Sequence, residues 1–421
     1  MTLQVRSRIA IDDLQSCSGS HATRRDRPHA GGASPDYAVT GPRRLDSGNV
    51  AQRELDNPAT FRLPARDRRD ALSLRTNLVR CLRGHAVERP RATAFVHLSD
   101  GGAPEASMTY AELDQRARSI AAHLQDMRLA GRNVVLAYPT GLEFIAAFFG
   151  VLYAGCVAVP AYPPRTRTLE RFNALIGDAD AALVLGTTAT LACIQTTNGG
   201  SATVRCVATD KLEDASAGRW TERDPDCDSL AMIQYTSGST SRPKGVMLSH
   251  ANLLANTRAI CDAFEVDRDT KGVFWLPACH DMGLIGGILA PVYYGIPNII
   301  IAPPVFVRNP FLWLDTISRS GATVSGGPNF AYDLCARKIT AEQRAVLDLS
   351  SWSVAFIGAE TVDPATLARF AETFAPCGFT PASFYPCYGL AEATLMVTGP
   401  RSGSGATVRA FRNDALARNL V

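Results

Sequence analysis

Several features are scarce in this 421-residue chain, and each scarcity removes a class of protein. Net charge is one: 43 basic against 40 acidic side chains leave only +3 at pH 7, too little to make nucleic acid the main partner. Histidines number seven, and none stands at metal-ligand spacing from another. The adjacent His280 and Asp281 therefore lack the further ligands that a metal-dependent phosphohydrolase would need. The eleven cysteines are odd in number and scattered, with no Cys-x-x-Cys pair. That pattern predicts reduced thiols in a cytoplasmic protein rather than a disulfide framework. Residues 1–30 contain no apolar core segment of the kind a signal peptide requires. No G-x-S-x-G elbow offers a serine nucleophile.

Long uncharged runs are also rare. The exception, residues 282–307, is long enough to cross a bilayer. Pro291, Pro297, Pro303 and Pro304 interrupt it, as do Gly286, Gly287 and Gly295. A spanning helix must satisfy its backbone internally, which so many breakers would defeat, so no transmembrane span is expected and the run reads as buried core.

What is present is ordinary for a globular protein: 46% hydrophobic and 20% charged residues. The length prior suggests two or three domains. Residues 1–70 are rich in Arg, Asp, Ser, Gly and Pro with no sustained apolar period, so they are expected to be disordered or spurious upstream sequence. Order is expected from near Ser73, with 71–421 forming the folded part. Thr109 and Glu112 form a capping-box pair, followed by Leu113, Ala117, Ile120, Ala121 and Leu124 on one helical face. A strongly apolar helix over 142–154 should stop at Gly155. Strands are predicted at 134–138, 156–159, 182–185, 204–208, 231–235, 273–276, 298–302, 322–325 and 354–357. Helical segments such as 251–264 and 364–374 lie between them. Strands alternating with helices predict a layered α/β fold with largely parallel sheets.

Three segments carry the chemistry. The first is Tyr235-Thr-Ser-Gly-Ser-Thr-Ser-Arg-Pro-Lys244-Gly245, between an apolar strand and a helix predicted to begin near His250. Small hydroxyl residues with a glycine let the backbone approach an anion closely, and Lys244 adds a point charge. The spacing is not that of the Walker loop. A flexible Ser/Thr/Gly surface loop has the same composition; the placement after a buried strand and the Pro-Lys-Gly ending argue against it. The second is the run 274–287, with His280, Asp281, Met282 and Gly283 at its centre. A structural histidine at a helix start is the competing reading there. The third is the run 385–394, where Tyr388 could stack on adenine, Gly389 permits close approach and Glu392 could hold magnesium. An ordinary strand-to-helix turn is its alternative.

Together these strings resemble the adenylate-forming superfamily of acyl-CoA synthetases, peptide-synthetase adenylation domains, luciferases and fatty acyl-AMP ligases. His-Asp-Met-Gly-Leu-Ile-Gly-Gly from His280 and Tyr-Gly-Leu-Ala-Glu-Ala-Thr from Tyr388 are most similar to the last of these. The runs 158–165 and 325–333 resemble that group too, and the likeness covers roughly Ser73 to Gly399. The resemblance implies that Thr236, Ser237, Gly238, Ser239, Thr240 and Lys244 hold the β- and γ-phosphates of ATP, and that Gly358, Ala359 and Glu360 lie beside adenine and ribose with Tyr388, Gly389 and Leu390. It implies that His280 borders the substrate carboxylate and gates an acyl tunnel, with Asp281, Met282, Gly283, Ser325, Gly326 and Gly327 beside the substrate, and that Glu392 carries Mg2+.

The implied reaction activates a long-chain fatty acid to acyl-AMP for delivery to an acyl carrier protein or polyketide synthase. A fatty acyl-CoA ligase and a catalytically silent nucleotide-binding module are the alternatives. Ala278, Cys279, Ile357 and Thr361 depart from the usual pattern. Nothing in 400–421 matches the ribose-binding aspartate, hinge and small mobile domain with which such enzymes continue, so a chain that stops short of them is expected.

Overall fold

Thr109 and Glu112 close their capping box in both directions. Glu112 N–H donates to Thr109 Oγ1 at 3.2 Å and Thr109 N–H to Glu112 Oε2 at 2.8 Å, starting the helix Tyr110–Asp126. Its apolar stripe, Leu113, Ala117, Ile120, Ala121 and Leu124, is wholly buried. The next helix, Leu142–Tyr153, buries every residue except Glu143, as its all-round hydrophobicity requires. Gly155 then takes a left-handed φ of 71° and lets the chain turn into the following strand. The computed structural model describes residues 77–197, 204–236, 244–411 and 418. The expectation for residues 1–70 lies outside them.

In chain order the strands are β1 (Thr93–Leu98), β2 (Pro104–Thr109), β3 (Asn133–Ala137), β4 (Val157–Ala161), β5 (Leu183–Gly186), β6 (Arg205–Ala208), β7 (Leu230–Thr236), β8 (Lys244–Ser249), β9 (Gly272–Phe274), β10 (Asn298–Ile301), β11 (Val324–Gly327), β12 (Val354–Ile357), β13 (Phe384–Pro386), β14 (Tyr388–Gly389) and β15 (Met396–Thr398). They build a sheet ordered β6-β5-β3-β4-β7-β8, a second ordered β13-β12-β11-β9-β10-β1-β2, and a small β14-β15 ribbon. The two large sheets are parallel except at one edge each, where β8 runs against β7 and β2 against β1. The layered, largely parallel α/β architecture expected from the alternation is what forms.

Every strand predicted from the alternation is present, with ends shifted by a residue or two. The strands β1, β2, β8, β13, β14 and β15 were not foreseen, and three of them have physical reasons to be faint. Four of the six residues of β2 are exposed, and β8 is an edge strand whose Met247 is 69% exposed, so neither carries a burial signal. β14 spans two residues. The uncharged run 282–307 divides into a π-helix (Met282–Leu289), a short helix (Ala290–Tyr294), β10 and a helix (Pro303–Arg308). No helix among the described residues is long and apolar enough to cross a membrane.

One core draws on both large sheets, joining Phe148 and Phe149 of the apolar helix to Phe95 of β1 and to Leu284, Ile285 and Leu289 of the π-helix. A second, on the longer sheet, is aromatic: Trp313, Trp352, Tyr332 and Phe370 pack with centroids 5.0–6.2 Å apart, mostly edge to face. None of the ten described cysteines forms a disulfide.

His250 opens the helix His250–Ala263, capped by Ser249, whose Oγ accepts from Asn252 N–H at 3.2 Å. The imidazole is 2% exposed, and burial lowers its pKa to about 4. The unfolded chain takes up this proton first, near pH 6.5. The neutral ring therefore contributes its full stability above pH 6.5 and loses it as the pH falls toward 4. Urea unfolding should show about 2 kcal/mol of lost stability between pH 7 and pH 5 from this group. His250→Leu should flatten that part of the profile; an unchanged slope would count against the assignment.

Candidate active site

Thr236 ends β7 and Lys244 begins β8, and the two face each other in register across the antiparallel pair. The first motif is thus the loop of a hairpin rather than a direct strand-to-helix turn. Ser237, Gly238, Ser239 and Thr240 lie outside the described residues. The neck of the loop is held firmly. A Cβ on Gly245 would lie 2.5 Å from Ile233 and 3.1 Å from the ring of Tyr235, so β8 can lie there only without a side chain. Tyr235 Oη donates to Asp178 at 2.6 Å. Lys244 is exposed and has no ion pair among the described residues.

The second motif leaves β9 and runs along the seam between the sheets. Gln234 of β7 donates from Nε2 to the carbonyl of Cys279 at 3.0 Å, and Ala278 N–H donates to Thr140 Oγ1 at 3.0 Å. These bonds hang the His280 segment, which follows the longer sheet, on the shorter one. His280 sits edge-on to Tyr162 with centroids 6.1 Å apart, so the run 158–165 reaches the same place. Its Nδ1 is 3.6 Å from Asp281 Oδ1. Burial raises the neighbouring Cys279 thiol to about 12, which leaves it neutral.

From Met282 the backbone adopts i→i+5 hydrogen bonding, with Ala290 N–H donating to Ile285 O. Such π turns are rare and concentrate at functional sites. Its glycines do different work. A Cβ on Gly283 would come within 2.1 Å of the Pro277 carbonyl oxygen, whereas one on Gly286 would meet only Leu395 Cδ2 at 3.7 Å. Gly283 permits backbone contact; Gly286 leaves space.

That space is an apolar cavity of about 70 Å3. Asp281, Met282 and Gly286 line it from the second motif, Ala359 from just beyond β12, Tyr388 and Gly389 from the third, and Leu395 and Met396 from the residues that follow it. Phe264, Phe274 and Phe356 stack along one wall, with Phe356 centroids 6.1 and 5.5 Å from the other two. Ala359 has a φ of 67°, a left-handed conformation uncommon outside glycine.

In the third motif, a Cβ on Gly389 would meet the Leu395 carbonyl oxygen at 2.0 Å, and Leu390 N–H donates to that same oxygen at 2.9 Å. The chain makes a 3-10 turn at Ala391–Ala393 and then a γ-turn. Thr394 has φ 74° and ψ −61°, with Leu395 N–H donating to Ala393 O at 3.0 Å. For a β-branched residue this is a strained conformation, costing on the order of 1–3 kcal/mol. The reversal divides the segment between two sites. Leu395 and Met396 line the apolar cavity, while Glu392 lines an open cleft with Met247, Leu248, Asn252 and Asn256. Glu392 therefore stands beside β8, the strand that follows the hydroxyl-rich loop. It has no ion pair among the described residues.

The remaining predicted residues lie elsewhere. Ser325 is fully buried in β11, donating to Val273 O and accepting from Trp313 Nε1 at 2.7 Å. A Cβ on Gly326 would meet Phe356 O at 2.1 Å, and one on Gly327 the Trp275 ring at 2.5 Å, so these glycines let β11 lie flush in the sheet core. None of the three lines the cavity. Gly358 faces Cys387 O, which its Cβ would approach to 2.8 Å. Glu360 accepts from Phe330 N–H at 3.1 Å at the start of the helix Asn329–Lys338. Asn256 went unmarked in the sequence; it is one polar residue within an amphipathic helix, and only its distant partners, described below, distinguish it.

The family model for AMP-binding enzymes matches residues 82–411. The medium-chain-fatty-acid–acyl-carrier-protein ligase JamA of Moorena producens is 43% identical over 347 residues, which are 80% of this chain and 58% of that protein. A long-chain-fatty-acid–AMP ligase of Mycolicibacterium smegmatis is 38% identical over 69% of this chain and 48% of its own length. A crystal structure of a fatty acyl-adenylate ligase from Legionella pneumophila, in complex with acyl adenylate and pyrophosphate, superposes with a TM-score of 0.75 at 40% identity, covering 80% of this chain and 59% of that one. The chain thus spans little more than half the length of the relatives it matches.

The two π-helix glycines make a direct comparison. Gly283→Ala should destabilise the fold by about 1–3 kcal/mol, the range for an overpacked site, because backbone must move. Gly286→Ala should leave thermal stability nearly unchanged. Equal losses in melting experiments would show that the Gly283–Pro277 approach is not tight.

Proposed function

The chain belongs to the AMP-binding enzyme family, and from that premise we propose that it is the nucleotide- and acyl-binding body of an enzyme that activates fatty acids. A fatty carboxylate oxygen attacks the α-phosphorus of ATP, the bond to the β-phosphate bridge breaks, and acyl-AMP and pyrophosphate result. The observation that carries the reading is the shared neighbourhood of two pockets. An apolar cavity suited to an alkyl chain lies behind the Thr394 turn, and a polar cleft containing Glu392 lies in front of it beside β8.

Thr236, Lys244 and the hydroxyl-rich residues Ser237, Ser239 and Thr240, with Gly238, hold the departing phosphates and stabilise the charge that accumulates on them. Tyr388, 57% exposed at the cavity mouth, is free to stack on adenine beside Ala359. His280, propped against Tyr162 at the seam, borders the reacting carboxylate. The donor set suits magnesium: Glu392 presents hard carboxylate oxygens to an open cleft, and Mg2+ binds through one or two carboxylates plus substrate phosphates. When bound, the ion neutralises phosphate charge. No covalent protein nucleophile is called for; catalysis is placement and charge stabilisation.

Similarity to JamA supports an acyl carrier protein as acceptor in the complete protein, a polyketide synthase that carries one is part of the same proposal, and the absence of a disulfide among the described cysteines suits a cytoplasmic setting.

Fatty-acid-dependent exchange of labelled pyrophosphate into ATP tests the proposal. The chain should catalyse exchange, and Lys244→Ala should lower it about a hundredfold or more, as loss of a charge-stabilising donor does. Exchange indifferent to Lys244 would refute the assigned role; ATP binding without any exchange would favour the silent module. Thioester formed on adding coenzyme A would identify a CoA ligase instead. Gly286→Trp should reduce exchange with long acids more than with short ones. An unaltered chain-length profile would remove the cavity from the acyl path.

A further inference from the structure

Asn256 lies in the helix His250–Ala263, two turns beyond the end of β8, yet its side chain serves a segment about 140 residues away in sequence. Its Nδ2 donates to Met396 O at 2.8 Å and to Ala393 O at 3.2 Å, and its Oδ1 accepts from Met396 N–H at 3.0 Å. The amide thus spends three of its four hydrogen-bonding positions on the two sides of one turn. Between those sides sits Thr394, in its positive-φ conformation. A strained residue persists only where its surroundings over-determine it, and here the surroundings are the Asn256 amide and the Leu395–Ala393 hydrogen bond.

We propose that Asn256 is a positioning residue for the reaction, holding the Thr394 turn reversed so that Glu392 faces the polar cleft and Leu395 and Met396 face the apolar cavity. The role rests on the reading that these two pockets take the nucleotide and the acyl chain. Asn256 lines the cleft beside Glu392, and its helix follows β8 directly, so it ties the third motif to the hairpin that carries the phosphate loop. Aspartate has the same shape and no donors, and would set a carboxylate against the carbonyls of Ala393 and Met396. Alanine leaves both sides of the turn free.

The test uses the full chain with Asn256→Asp, Asn256→Ala and, as a control for simple destabilisation, Leu253→Ala. Leu253 is buried on the same helix and lines neither pocket. Three quantities are measured: hydrogen-exchange protection of the Met396 amide, affinity for ATP with and without Mg2+ by calorimetry, and relative affinity for a medium-chain and a long-chain acyl-AMP. Asn256→Ala should lose Met396 protection; Asn256→Asp keeps an acceptor oxygen for that amide, loses only the two donations, and is read by the affinities. Both variants should lose about fivefold or more of the Mg2+-dependent gain in ATP affinity, the effect of one or two hydrogen bonds, and change their acyl-chain preference. Leu253→Ala should lower the melting temperature and alter none of the three. Retained Met396 protection in Asn256→Ala would overturn the clamp. Lost protection with unchanged ligand affinities, or the same changes in Leu253→Ala, would overturn the positioning role while leaving the functional reading intact. A wild-type chain that binds neither ATP nor acyl-AMP would overturn that reading, and the role with it.

Discussion

The seam between the two large sheets governs everything built on it. Gln234 reaches from β7 to the Cys279 carbonyl, and Thr140 accepts from Ala278 N–H across the same boundary. These two bonds set the His280 segment against β7, the strand that leads into the hydroxyl-rich loop. Buried backbone groups must find partners, so a loop that crosses between sheets is stable only where side chains meet its polar atoms. Together with the core that the two sheets share, that tie keeps the β7–β8 hairpin beside the cavity.

Close backbone approach is the second organising device. Gly283 against Pro277, Gly326 against Phe356 and Gly389 against Leu395 each put a would-be Cβ within about 2 Å of a carbonyl oxygen. The first lets the π-helix start hard against the turn that precedes it. The last lets β14 and the Thr394 turn fold over the cavity. Gly286 alone among the π-helix glycines opens toward empty space, and it is the one that lines the cavity.

Strain and support are paired in the third motif. Ala359 and Thr394 both hold positive φ, and both border the pockets. Two segments far apart in the chain are bent out of their preferred conformations toward one place, against walls stiffened by stacked phenylalanines and by the Asn256 amide. A rigid scaffold around a strained turn directs side chains more sharply than a relaxed loop would.

The amino-acid sequence alone determined the alternation of strands and helices, the start of the helix at Tyr110 through its capping pair, and the likeness to the AMP-binding enzymes. Those features depend on neighbours in the chain: hydrophobic period, capping residues and runs of small hydroxyls. It could not separate residues that hold the site from residues that form it. Ser325, Gly326 and Gly327, expected beside the substrate, pack in the sheet and do not line the apolar cavity; Asn256 reads like any polar helix residue and ties down the Glu392 turn. The hairpin geometry at Lys244, the π-helix and the division of Glu392 from Leu395 belong to the tertiary structure alone. Each depends on contacts between segments up to about 140 residues apart, whose free energy no local pattern encodes.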